Sequence, residues 1–223
     1  MATYIVGDLH GQIHILEGLL SKVSFSPGRD HLIAVGDVID RGENTGELLR
    51  FLFAGARDGW FSSVKGNHEE VLLRHLKNPK SHLLCVDSEF GGKKTLEALS
   101  RTSERKEIIN WIESWPLFLE KSGRIIVHGG LPSIQGSRMG DTELCDKRLE
   151  PITGYHACLW FRPPKLCPSY DGRTIISGHS IVPQAGSVQD GIILVDTGCY
   201  RTGKLSAIRL EDMLIFEYQG IPK

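Results

Sequence analysis

Short apolar runs recur along the chain, and each gives way at once to small and polar residues. Tyr4-Ile5-Val6 precedes Gly7-Asp8-Leu9-His10-Gly11, and Leu32-Ile33-Ala34-Val35 precedes Gly36-Asp37-Val38-Ile39-Asp40-Arg41-Gly42. Trp60 to Val64 leads into Lys65-Gly66-Asn67-His68-Glu69, Arg124 to Val127 into His128-Gly129-Gly130, Thr174 to Ser177 into Gly178-His179-Ser180, and Ile192 to Val195 into Asp196-Thr197-Gly198. Apolar runs without alternation, bounded by turn residues, predict strands buried on both faces.

Between them the spacing changes to that of helices. Ile13, Leu16, Leu19, Leu20 and Val23 form one stripe; Leu48, Leu49, Leu52 and Phe53 form another, with Asn44 or Thr45 as its expected cap. Val71, Leu72, Leu73 and Leu76 follow, and residues 79–116 read as helical, with Ile108, Ile109, Trp111 and Ile112 on one face and no chemistry of their own. Alternating strands and helices predict an α/β fold with a partly parallel sheet. Leu205 to Leu210 and Met213 to Tyr218 read as a closing antiparallel pair, placed in the second sheet of a sandwich.

Length and composition narrow the possibilities. The 223 residues suit a single domain spanning 1–223, long enough to bury about 70% of its unfolded surface. Lys and Arg total 26 against 27 Asp and Glu, so no basic field advertises stable nucleic-acid binding. The five cysteines, Cys85, Cys145, Cys158, Cys167 and Cys199, are scattered without a Cys-x-x-Cys pair, which disfavours a thiolate zinc site. No basic leader and no apolar run long enough for a membrane span is evident, so a cytoplasmic location and no membrane partner are expected.

The residues at the strand ends carry the chemistry. Asp8 and His10, two positions apart, project to one side if the strand continues. Asp37 and Asp40 are acids three apart, and Arg41 is a planar, permanently charged fork suited to phosphate. Asn67, His128 and His179 end three further strands. Asp8, His10, Asp37, Asn67, His128 and His179 are all oxygen or imidazole donors, a set for Mn, Fe or Zn rather than for a calcium cage. Six are too many for one open catalytic ion and suit two divalent ions sharing a carboxylate. His14, His31, His75, His82 and His156 fit no such position and read as ordinary surface or helix residues.

The ordered motifs Gly7-Asp8-Leu9-His10-Gly11, Gly36-Asp37-Val38-Ile39-Asp40-Arg41-Gly42, Gly66-Asn67-His68-Glu69, His128-Gly129-Gly130 and Gly178-His179 resemble those of the calcineurin-like metallophosphoesterases. Within that superfamily the chain is most similar to the phosphoprotein phosphatase branch and its small phage-lambda-type serine/threonine phosphatases, a likeness that extends to Trp160-x-Arg162 and Val195-Asp196-Thr197-Gly198. Residues 79–116 and 132–157 match least.

The resemblance implies a four-layer α-β-β-α sandwich with two mixed sheets and a dimetal site at the carboxyl ends of strands. It implies that Asp8, His10 and Asp37 hold one ion, and that Asp37, Asn67, His128 and His179 hold the second, manganese being the first expectation. It further implies in-line attack by a hydroxide activated between the ions, with Arg41, Arg162 and Asn67 on the phosphoryl oxygens, His68 as general acid and Asp40 orienting it. The substrate implied is a phosphoprotein or phosphopeptide. A symmetrical diadenosine tetraphosphate hydrolase is the alternative, since the segments 1–11 and 196–199 resemble those enzymes too; Asp40, often missing there, and the short chain speak against it. A non-catalytic phosphate-binding module is a third reading, which the complete motifs disfavour.

Overall fold

The computed structural model describes residues 1–80, 83–131, 151–152, 155–162, 173–189 and 191–223. Strands β1 (Thr3–Val6), β2 (His31–Ala34) and β3 (Phe61–Ser63) alternate with helices α1 (Ile13–Lys22), α2 (Thr45–Arg57) and α3 (Asn67–Lys77). Helices α4 (Gly92–Ser100) and α5 (Arg105–Glu113) follow, then β4 (Phe118–Lys121), β5 (Arg124–Val127) and the small ribbon β6 (Pro151–Ile152) and β7 (Tyr155–His156). The chain ends with β8 (Thr174–Ser177), β9 (Ser187–Gln189), β10 (Ile192–Leu194), a one-turn helix at Cys199–Thr202, β11 (Lys204–Arg209) and β12 (Ile215–Gln219).

Two five-stranded mixed sheets result, ordered β12-β11-β1-β2-β3 and β4-β5-β8-β10-β9. In the first, β1, β2 and β3 are parallel and β11 lies antiparallel to β1. In the second, β5, β8 and β10 are parallel, with antiparallel β4 and β9 at the edges. This is the expected α/β architecture with two mixed sheets.

The period-two geometry of strands divides each apolar run between two cores. Tyr4, Val6, Leu32 and Ala34 pack with Leu16, Leu19, Leu48, Leu52 and Val71 of the helices, whereas Ile5 and Ile33 meet Ile126 and Ile176 of the other sheet. Ile125, Val127, Ile175 and Leu194 turn outward beneath Leu131, Cys158, Leu159 and Val182. Burial on both faces explains why the runs do not alternate.

Two local expectations are corrected. The closing pair β11 and β12 belongs to the first sheet, because β11 takes the free edge of β1 and sends Leu205 and Ala207 to the helical core and Ile208 to the core between sheets. At α2, Asn44 is the capping residue but makes no side-chain cap; the buried Thr45 hydroxyl donates to the Gly42 carbonyl instead. Residues 132–150, with Cys145 among them, lie outside the described residues, as do His82, Cys167, Pro163 and Pro164.

Candidate active site

The loops leaving β1, β2, β3, β5, β8 and β10 meet at one end of the sheets. They are bound to one another by backbone: the N–H groups of Leu9 and His10 both donate to the Asp37 carbonyl, Gly11 donates to Val38, and Gly178 donates to His128. Of the eight non-glycine residues with positive φ among the described residues, five are His10, Asp37, Asp40, Arg41 and His179. Left-handed backbone costs L-residues on the order of 1–2 kcal/mol each, so its concentration here marks a place where side-chain direction outweighs local preference. Gly36 and Gly66 let the loops approach, since a Cβ on Gly36 would lie 2.6 Å from the Gly66 nitrogen and one on Gly66 would lie 2.2 Å from Asp37 Oδ1.

All six expected metal-ligating residues are buried, none more than 6% exposed, and five of them, with Arg41, His68, Arg162, Ile181, Asp196 and Tyr200, line one polar cleft. Two sets of donor atoms lie within 4.8 Å of one another: His10, Asp37 and His68, and Asp37, His128 and His179. Asp37 belongs to both. The sixth residue, His128, faces the cleft from behind Asn67, its Nε2 lying 2.8 Å from Asn67 Oδ1 and 3.4 Å from Asp37 Oδ2. Asp8 is held apart from both sets, its two oxygens accepting the His179 N–H at 3.2 Å.

The donor chemistry fits divalent ions. His10 and His128 each bond a backbone carbonyl through Nδ1, at Ile39 and Val35 respectively and 2.8 Å in both cases, so that in the neutral ring the proton sits on Nδ1 and Nε2 is the donor of electrons. His128 Nε2 then faces another lone pair, on Asn67 Oδ1, and His179 Nε2 is buried without a hydrogen-bond partner. Burial, with Asp196 and Asp37 nearby, pushes the Asp8 carboxyl well above its usual range. Burial opposes ionisation of Asp37 as well, but His128, His68 and His10 together hold its carboxyl well below the usual range. Converging lone pairs and clustered carboxylates are what cations between them would relieve.

Beside this set, His68 Nδ1 donates to Asp40 Oδ2 at 2.8 Å, and both side chains are almost wholly excluded from water. Burial lowers the imidazole to about 4 and raises the Asp40 carboxyl to about 8, so desolvation opposes the charged form of each group. His68 Nε2 points toward the cleft, 3.3 Å from the Arg41 guanidinium. Arg41 lies over the Tyr200 ring at 4.3 Å with its Nε buried and unpartnered among the described residues, whereas Arg162 is exposed and donates a long bond, 3.4 Å, to the His179 carbonyl.

The structure adds residues that the sequence left without a role. Glu69, read only as part of a motif, sends its carboxylate under the Asp37 loop; its spacing after Gly66 is the signal that could have found it. Asp196 lines the cleft, and Tyr200 contacts both Arg41 and His10. Thr95 and Phe90, from the stretch read as chemically silent, touch Asp40 and His68. The histidines outside the site behave as expected where described, His156 bonding Glu70 at 2.6 Å and His31 bonding Ser62. Cys199 is buried, and burial raises its thiol, which makes it packed rather than reactive.

Residues 1–183 match the family model of the calcineurin-like phosphoesterases. The chain belongs to that family. It is therefore a metallophosphoesterase, a hydrolase of a family that uses two-metal sites, which agrees with the paired donor groups around Asp37. Among curated relatives, this phosphoesterase is 26% identical over 97% of its length to 96% of a symmetrical bis(5'-nucleosyl)-tetraphosphatase of Erwinia tasmaniensis, and 27% identical over the same shares to one from a Marinomonas species. Both alignments run over 279 positions, so these relatives carry internal segments that the shorter chain lacks. The fold is also that of a solved serine/threonine phosphatase from Saccharomyces cerevisiae, with a TM-score of 0.67 at 17% identity over the whole of this chain and 81% of the other. Among the described residues, no helix of the phosphoesterase is long and apolar enough to cross a membrane.

Proposed function

We propose that the chain hydrolyses phosphomonoesters whose leaving group is an alkoxide, with phosphoserine and phosphothreonine in proteins as the substrate class. The His68–Asp40 dyad carries this reading. An alkoxide leaves poorly unless it is protonated as the P–O bond breaks, and a buried imidazole with Nδ1 tied to a carboxylate at 2.8 Å presents Nε2 for that purpose. A nucleoside diphosphate, by contrast, leaves as a stable anion and has little use for a general acid.

In this reading Asp8, His10 and Asp37 hold one divalent ion and Asp37, Asn67, His128 and His179 a second, manganese being the first candidate, with iron and zinc as alternatives. When bound, such ions acidify water and offset the charge of the phosphoryl group. Arg41, braced on Tyr200, receives the phosphoryl oxygens, Asn67 adds a contact from the first turn of α3, and the exposed Arg162, which lines the same cleft, adds its guanidinium. His68 gives its proton from Nε2 to the departing oxygen, and Asp40 supports the positive ring that precedes transfer.

A second reading is symmetrical cleavage of dinucleoside tetraphosphates. It is supported by the names of the curated relatives, which favour it over the phosphoprotein reading, and by alignments that run nearly end to end. Turnover of a phosphoserine peptide and of diadenosine tetraphosphate, each with manganese and with a chelator, separates the two. Chelator-sensitive phosphate release from the peptide is expected; preference for the dinucleotide, yielding nucleoside diphosphate, overturns the first reading in favour of the second.

A further inference from the structure

Helix α4 and the residues just before it hold the acid–base pair from outside the motifs. Thr95 is fully buried in α4, 55 residues from Asp40 in sequence, and engages it twice: its hydroxyl oxygen accepts the Asp40 N–H at 3.1 Å and its hydroxyl donates to Asp40 Oδ1 at 2.5 Å. The first bond holds a backbone with φ of 70°, a left-handed conformation uncommon for residues other than glycine. The second occupies Oδ1, so Oδ2 is the oxygen left for His68 Nδ1. Phe90, just before α4, stacks on the imidazole with centroids 3.9 Å apart and planes 15° from parallel, while the His10 ring abuts it edge-on at 4.6 Å. The fit is close: a Cβ on Gly91, where φ is 85°, would lie 2.7 Å from the Arg41 nitrogen.

We propose that Thr95 and Phe90 are positioning residues for proton transfer: Thr95 fixes the Asp40 carboxylate and through it the Nδ1–H of His68, so that the doubly protonated ring gives up its Nε2 proton, and Phe90 fixes the plane of the ring so that Nε2 faces the leaving group. Neither touches the reacting atoms. The inference rests on His68 acting as the general acid. It deepens that reading, because a pair held on three sides discriminates between substrates by how much they need a proton.

The test compares an alkyl ester, a phosphoserine peptide, with p-nitrophenyl phosphate, whose leaving group departs without help, in manganese-supplemented buffer. Thr95→Val keeps the volume and deletes the hydroxyl; turnover of the peptide is expected to fall about tenfold and that of the aryl ester to stay within about twofold. Bound manganese should be unchanged, and Thr95→Ser should restore the peptide rate. Phe90→Leu, which keeps an apolar cover without the ring, should show the same split and decides the matter if Thr95→Val does not fold. Equal losses on both esters, or no loss on either, overturn the inference. His68→Ala is run alongside: if it too affects both esters equally, the general-acid reading itself fails, whereas a split there without one in the Thr95 and Phe90 variants overturns only the positioning roles.

Discussion

The Glu69 carboxylate lies directly beneath Asp37, accepting its backbone N–H at 3.0 Å. The same carboxylate also accepts the N–H of Gly66 at 2.8 Å, of Val38 at 2.9 Å and of Ile39 at 3.3 Å, so one buried side chain joins the loop after β2 to the start of α3. Burial raises its pKa to about 7, with Asp37 adding to the effect, and the amide bonds work against that rise. The left-handed turn at Asp37 is held from below by these bonds.

Glu69→Gln keeps the shape but turns an amide NH2 toward N–H groups that need an acceptor. Leaving buried donors unsatisfied costs about 1–3 kcal/mol for each group. The variant is expected to unfold at lower temperature and to bind manganese more weakly, because Asp37 loses its orientation. Thermal unfolding with and without manganese measures both; a variant equal to the parent in each means the four bonds are incidental.

Ion binding to the native chain alone should stabilise it by mass action, about 2.7 kcal/mol at a concentration 100 times the dissociation constant. Asp37 belongs to both donor groups, so Asp37→Asn should abolish the manganese-dependent rise in Tm. His68 shares one of those groups but is tied to Asp40 and reserved for proton transfer in the proposed reading, so His68→Ala should retain most of the rise. Calorimetry at increasing manganese checks this. A rise that survives in Asp37→Asn removes that residue from the centre of the site.

The placement of these residues was legible because chemistry and secondary structure change at the same positions. Wherever an apolar run stops at Gly-Asp, Gly-Asn or His-Gly, the strand ends and its loop reaches the common edge. Pairing was less legible: β11 carries the apolar content of any strand, and only the free edge of β1, some 200 residues away in sequence, decides which sheet receives it. The supports of the site were harder still. Thr95 sits in an ordinary helical pattern and Phe90 in a loop, and nothing in their local sequence signals contact with Asp40 and His68. A motif reports atoms that face a ligand, whereas the residues behind them are chosen by shape.

Tyr200 braces Arg41 in a similar way from the one-turn helix after β10, its ring lying 4.3 Å from the guanidinium carbon and 4.9 Å from the His10 ring. A cation over an aromatic face is worth about 0.5–2 kcal/mol depending on desolvation. Tyr200→Leu is therefore expected to weaken competitive inhibition by inorganic phosphate several-fold while leaving bound manganese unchanged. Arg41→Lys, which cannot lie flat on the ring, should do the same. Unaltered phosphate inhibition in Tyr200→Leu would show that Arg41 is placed without the ring.

Far from the cleft, Asp30 ties the turn before β2 to the start of β1. Its Oδ1 accepts the Ala2 N–H at 3.0 Å and its Oδ2 the Ser26 N–H at 3.1 Å, while Arg29 clasps both oxygens. These bonds, the Arg29 pair first, hold the carboxyl well below the usual range although it is buried. A carboxylate with a depressed native pKa binds its proton more readily in the unfolded chain, so stability rises with pH through this window. The Asp30 contribution is complete above about pH 4, the unfolded value, and is lost as the pH falls toward the native one. Because Arg29 is largely exposed and screened, the backbone bonds carry most of it, about 1 kcal/mol. Urea unfolding of the parent and of Asp30→Asn should differ by that amount near pH 7, and the gap should narrow steadily as the pH falls below about 4. A gap that stays constant down the pH series would instead assign the effect of Asp30 to shape, since a charge-dependent contribution must vanish when the carboxylate is protonated in both states.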